Sequence, residues 1–343
     1  MLSLAEVEGQ ISDSRLSKVD SRNLFVLNIV CRTERNLILN SIEVTQESTI
    51  VNFTFINTSL AYRDSAFIFA AIDDVEQSFY IEDSKTQEKY YANGSTIGSS
   101  AKTGTYLRLG EAKRFKLLFP SIGGAKRINI KEGMQGADWS FYNIDLPKSS
   151  ELTNDNFLND SSFQKGLTLL SDKEFEKASV IILDRASRNN HNDFMKNLAG
   201  VISYVLGDSL GALAYFKEAN ALRPTEHQYY FNMYFLFEAT GNMEEALKSI
   251  SAAIQMNKDQ PEYFHYRAML YIDMKYWKEA VDDLDRYINS DRAITGMSYF
   301  LRGVAKSFLQ DSSACTDFKK AYSLEKSDKN KQVISGWYDK VCQ

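Results

Sequence analysis

The sequence predicts a multidomain β + α chain, an antiparallel β-sandwich followed by an α-α superhelix of repeated helix pairs. Three observations carry this. Apolar residues alternate with period two, or come in short runs, from about Asn23 to Leu146. From Phe163 onward they recur with helical period. Within that second half, Ala178, Ala212, Ala246, Ala280 and Ala314 stand 34 residues apart.

The first half reads as short strands. "NLFVLNIVC", "NLILNSIEVT", "TIVNFTFIN", "AFIFAAI", "SFYIED", "KYYAN", "TYLRL", "RFKLLF", "RINIKE" and "WSFYNIDL" are rich in β-branched and aromatic residues. Turn-formers such as "NGS", "GSS" and "SIGGAK" separate them. Alternation in the third segment sends Val51, Phe53 and Phe55 to a core and Asn52, Thr54 and Ile56 outward. Many short strands with no helical pattern between them predict an immunoglobulin-like sandwich over residues 23–147. The Cys…Trp…Cys arrangement of antibody domains is missing. Residues 1–22 form a separate N-terminal segment. Pro147 and the Ser/Asn/Asp content of residues 148–162 mark a linker.

The helical half repeats more than its alanines. Four residues after each comes a large apolar residue: Ile182, Phe216, Ile250, Leu284 and Phe318. Five before stand Lys173, Gly207, Gly241, Lys275 and Leu309, and twelve before the central three stand Gly200, Tyr234 and Ala268. The fifth copy fits with one residue missing from its inter-helix loop, which aligns Arg302 and Gly303 with Arg267 and Ala268. Pro224 ends a second helix, since it lacks an N–H and disfavours helix before it.

A 34-residue unit with this Gly–Ala–large–Ala–Pro signature resembles the tetratricopeptide repeat, over about residues 159–325. The resemblance implies five repeats over residues 163–326, each two antiparallel helices, stacked into a superhelix. Residues 327–343 then cap the last repeat, with Val333, Ile334, Trp337 and Tyr338 inward. "NLILNSIEVT", "KRFKLLFP" and "DWSFYNIDL" resemble a β-sandwich module of Gram-negative bacterial envelope proteins, which implies a bacterial, exported or envelope location.

Composition excludes several classes. The net charge is −5 and no Lys/Arg cluster appears, so a nucleic-acid partner is not expected. No apolar run is long enough for a transmembrane helix. The N-terminus carries early acids and no apolar h-region, so it is not a signal peptide. The expected location is exported, periplasmic or envelope if a leader was removed, and cytoplasmic otherwise. His191, His227 and His265 lie in no HExxH, and neither a phosphate loop nor GxSxG occurs. No catalytic residue, metal or cofactor is expected, and the chain reads as no enzyme. Asp73–Asp74 reads as a turn and Asp282–Asp283 as a solvated helix face. The sequons at Asn52, Asn57, Asn93 and Asn159 matter only in a source that glycosylates.

Binding is the mode of action that remains. On the resemblance, the concave face carries Asn197, Val201, Asn232, Phe235, His265, Tyr266, Met269 and Phe300. Asn232 and His265 would bond a peptide backbone, while Phe235 and Met269 would seat apolar side chains. The alternative is packing within the superhelix or against the β region. The Lys/Arg set of the family's carboxylate-clamp subtype has no counterpart here, so acidic chain ends are not expected ligands. Cys315 and Cys342 are either a disulfide or two separately buried thiols. The expectation is a non-enzymatic scaffold for a protein, peptide or partner helix. A rival is a surface protein whose β-sandwich binds a glycan or envelope component, with the repeats as spacer, supported by Tyr80, Tyr90, Tyr91, Tyr106 and Tyr142. A second rival, an enzyme site at the domain junction, would use His191 or paired acids.

Overall fold

A computed structural model describes residues 24–31, 36–60, 66–68, 70, 72, 78–99, 103–133, 139–146, 160–189, 191–290 and 295–342. The N-terminal segment, nearly all of the linker, Asp73–Asp74 and Asn159 lie outside the described residues. Two compact units divide the chain, one up to Asp208 and one from Ser209.

In the first unit the ten strand-like segments each contain a strand. They are β1 (Leu24–Val30), β2 (Leu37–Val44), β3 (Ser48–Ile56), β4 (Ala66–Ile68), β5 (Tyr80–Asp83), β6 (Lys89–Tyr91), β8 (Thr105–Leu107), β9 (Ala112–Pro120), β10 (Arg127–Lys131) and β11 (Phe141–Asp145). A two-residue strand, β7 (Gly94–Ser95), was not legible, because two small residues carry no alternation. The order is β1-β2-β3-β9-β7 in one sheet, β11-β10-β5-β6 in a second and β4-β8 in a third. Every pairing is antiparallel.

The two larger sheets share one core. Phe53 of β3 stacks on Phe115 of β9 at 5.2 Å and lies 6.0 Å from Phe141 of β11. Trp139 packs against Phe55, Phe79 and Phe115. Val51, Phe53 and Phe55 are buried, as their alternation requires. Their neighbours Thr54 and Ile56 face the other side of the sheet but are buried there and not open to solvent. On that side α1 (Ser161–Ser171) packs along β9, the neighbour of β3, and Arg114, opposite Thr54, reaches Gln164.

Two more helices complete this unit, α2 (Phe175–Arg188) and α3 (Asp193–Val205). Asp160 caps α1 by accepting from the N–H groups of Ser162 and Phe163, and its carboxylate also pairs with Arg185 at 2.7 Å. Gly110 marks where strands meet helices. Its φ is +80°, and a Cβ there would sit 3.1 Å from Phe175 and 3.4 Å from Val205. Lys173 pairs with the buried Glu111 beside it at 3.2 Å.

The second unit is helical. It holds α4 (Ser209–Leu222), α5 (His227–Ala239), α6 (Met243–Met256), α7 (Glu262–Asp273), α8 (Trp277–Ile288), α9 (Gly296–Phe308), α10 (Ala314–Leu324) and α11 (Asp328–Val341). Sequential helices pack as α5 on α6, α7 on α8 and α9 on α10, and each pair packs on the next.

Candidate functional site: the inner-face residues of the repeats

The repeat pattern is written in the backbone. The turn between paired helices carries a residue of positive φ at Lys173, Gly207, Gly241, Lys275 and Gln310. The first four stand 34 residues apart. In the fifth copy Gln310, not the expected Leu309, takes the left-handed conformation, and only three residues separate it from Ala314. That places the missing residue between the turn and the second helix. All five alanines and all five large residues that follow them are fully buried. The small residue that lets paired helices approach has a first-copy counterpart that twelve-residue counting reaches but the central three did not show: Gly166. A Cβ there would touch Ile181 at 3.4 Å. At Gly303 the fit is tighter, with a Cβ placed 2.8 Å from the Phe318 ring.

These helix pairs resemble tetratricopeptide repeats.

Solved structures similar to the chain include tetratricopeptide repeat proteins. MamA is 16% identical, with 49% of this chain and 96% of that one covered at a TM-score of 0.44. YrrB, described as a tetratricopeptide protein with an unusual peptide-binding site, is 14% identical, with 54% and 96% covered at 0.46. A tetratricopeptide repeat protein from Parabacteroides merdae is 21% identical, with 53% and 70% covered at 0.34. No protein-family model and no curated protein matches the chain.

The structure separates the eight inner-face candidates. In the first unit Asn197 and Val201 are 1% and 0% exposed. Nearly every residue of α3 is buried, which marks a helix covered on all sides. Asn197 and Val201 are therefore packing residues and offer no open contact. Asn232 in the second unit is 0% exposed and belongs with them. Phe300 turns toward the end helix, with its ring 6.0 Å from Phe318 and 6.3 Å from Trp337.

Phe235, His265, Tyr266 and Met269 remain. Phe235 and Tyr266 meet at 5.3 Å inside an aromatic seam that joins α5 to α7. Phe231 is its hub, 4.3 Å from Tyr263, 5.0 Å from Phe235 and 5.2 Å from Tyr266. Sequence reasoning passed over Phe231 and Tyr263, although Phe231 and Phe235 are one turn apart in an aromatic-rich helix. The seam closes over a half-buried histidine. Asn257 Nδ2 donates to His227 Nε2 at 3.2 Å, which leaves the proton on Nδ1, 2.6 Å from the Tyr263 hydroxyl. Burial pushes the His227 pKa down to about 4, and it prevails over the Glu226 carboxylate 3.9 Å away.

His265 stands apart from the seam. Its ring lies 4.8 Å from Tyr287, and burial lowers its pKa also. Its Nδ1 is enclosed and has no hydrogen-bond partner among the described residues. One helical turn on, Met269 is 41% exposed, which is open for a thioether side chain. Together they set a half-buried imidazole beside an exposed apolar seat. His191 lies exposed on a turn, and among the described residues no group of three or more His, Cys, Asp or Glu could hold a metal.

Asp282–Asp283 needs correction. Asp282 is exposed, but Asp283 is 3% exposed and takes a two-pronged bond from Arg267, at 2.6 and 2.8 Å. One repeat later Arg302 grips Asp317 in the same way, at 2.9 and 2.6 Å, and also reaches Asp285. The acid is buried because its helix-A arginine is placed to meet it. Cys315 and Cys342 are joined as a disulfide, with Cα atoms 5.8 Å apart. Asn57 is buried and donates to the Leu107 carbonyl, so that sequon is not open to modification.

Proposed function

We propose that the chain is a non-enzymatic interaction scaffold whose repeats hold a peptide or partner helix against the inner face of α7. The observation that carries this is His265 beside Met269. An exposed methionine adapts to apolar side chains of varied shape, and the half-buried His265 ring one turn away borders its seat. Phe235 and Tyr266 form the rigid floor at one side.

The test is selection from a displayed peptide library with the full chain, repeated with Met269→Asp and His265→Ala. Selected peptides bind the parent and lose at least tenfold affinity, about 1.4 kcal/mol, to Met269→Asp. Binding indifferent to both substitutions defeats the reading. Asn232→Ala is unsuitable, because that side chain is buried and its loss disturbs packing.

A second reading has its own support. The two larger sheets of the first unit, read as a β-sandwich, would recognise a glycan or envelope component, with the repeats as spacer. Tyr80, Tyr91 and Tyr142 lie on the outward face of the second sheet with Lys131, which stands 6.0 Å from the Tyr80 ring and 5.4 Å from that of Tyr142. Tyr90 pairs with Ile81 and packs on the core, and Tyr106 belongs to the third sheet, so neither joins them. An exported location fits both readings, since the Cys315–Cys342 bond persists where thiols are oxidised.

A further inference from the structure

A cleft in the first unit plays no part in peptide binding by the repeats. It opens on the outward face of the five-stranded sheet, beside α1, with a volume of about 450 Å³. That is the size of a small-ligand site. Eight of its ten lining residues are polar or charged, the other two being Phe53 and Phe115, which are almost wholly buried.

One wall is made by a slip in pairing. The register of β2 on β3 shifts between Leu39 and Ser41, so Asn40 and Ser41, neighbours in sequence, both line the cleft. Successive strand residues otherwise face opposite ways, and such bulges re-aim side chains beside binding sites. These groups are fixed by one another. Asn52 Nδ2 donates to Ser41 Oγ at 2.9 Å and to Glu43 Oε1 at 2.8 Å, and Thr54 Oγ1 donates to Asn40 Oδ1 at 2.7 Å. The wall is thus ordered before any ligand arrives, which lowers the entropic cost of binding.

The other wall is cationic. Arg114 and Lys116 alternate on β9 and stand opposite Thr54 and Asn52 of β3. Arg114 Nη2 is steered by the Gln164 side-chain oxygen at 3.2 Å. Lys116 is half-buried and has no ion pair among the described residues. A cation pair at one side, and hydroxyls, amides and one carboxylate at the other, suit a ligand with two kinds of group. A bare inorganic anion would meet only the cations and be repelled by Glu43. A peptide would find no apolar pocket, since Phe53 and Phe115 point into the core.

We propose that this cleft binds an acidic saccharide, its carboxylate against Arg114 and Lys116 and its ring hydroxyls against Glu43, Ser41 and Asn40. The proposal rests on the second reading above, and moves the contact from the tyrosine face to the opposite sheet. The test is calorimetric titration of the full chain with trigalacturonate, maltotriose and citrate, on the parent and on Lys116→Ala, Glu43→Gln and Tyr142→Ala. Glu43→Gln keeps the shape of the wall, and unchanged melting shows each variant folded. Trigalacturonate is expected to bind at least tenfold more weakly to Lys116→Ala and to Glu43→Gln, and equally to Tyr142→Ala. Maltotriose is expected to bind at least tenfold more weakly than trigalacturonate. Citrate binding as tightly as trigalacturonate makes this a plain anion site and overturns the proposal. Saccharide binding lost with Tyr142→Ala alone also overturns it, while the glycan reading stands. Binding of neither saccharide ends both.

Discussion

At the residue scale, the backbone conformation of five turns matters most. Two of them are glycines, and Lys173, Lys275 and Gln310 hold φ near +60° with side chains that disfavour it. Lys275→Gly is expected to stabilise the chain by about 1 kcal/mol, and Gly241→Ala to destabilise it by a similar amount. Urea midpoints measure both. A destabilised Lys275→Gly means that the lysine side chain does more than occupy the turn. His227 sets a pH dependence. Its folded pKa of about 4 lies below the ordinary value of 6.5. Between those values the unfolded chain binds more protons than the folded one, so stability is full above pH 6.5 and falls as pH drops toward 4. The loss from this group is on the order of 3 kcal/mol. Denaturation midpoints across that window are expected to fall less steeply in His227→Gln than in the parent.

At the scale of elements, the arginine clasps and the end helix differ in what holds them. Arg267→Ala strands the buried Asp283 carboxylate and is expected to cost about 3–5 kcal/mol, whereas Arg267→Met with Asp283→Leu recovers most of that. A double variant as unstable as the single one means that the clasp itself, not the stranded charge, is what matters. The end helix α11 buries only Ile334 fully, so its attachment leans on the Cys315–Cys342 bond. The cross-link spans 27 residues and removes about 3–4 kcal/mol of unfolded-chain entropy. Cys315→Ser with Cys342→Ser is expected to speed amide exchange in α11 well before it does so in α5 or α6. Equal protection in the parent and the variant means that Ile334, Trp337 and Tyr338 suffice.

At the scale of the whole molecule, the repeats make an unusual deletion tolerable. Within the second unit each helix pair contacts the next in sequence, so its stability is roughly a sum over pairs. Excising Pro224–Asn257 removes one whole period and keeps every later residue in register. Helicity per residue measured by circular dichroism, and cooperative melting, are expected to survive that deletion. Deletion of only Pro224–Thr240 puts helix-A faces against the wrong partners and should abolish cooperative melting.

The sequence by itself determined the strand-to-helix change, ten strands, the repeat period and the packing alanines. Each depends on local periodicity, and periodicity survives in one dimension. It also located the missing residue of the fifth copy to a loop. Tertiary structure decided what faces what. Asn197, Val201 and Asn232 fit the inner-face register as well as Met269 does, but register gives the direction of a side chain and not what covers it. Asp283 read as solvated because its partner Arg267 is sixteen residues away on another helix. Thr54 and Ile56 read as solvent-facing because alternation gives the side of the sheet and not what covers it. Local pattern fixes the elements, and burial is settled only where distant elements meet.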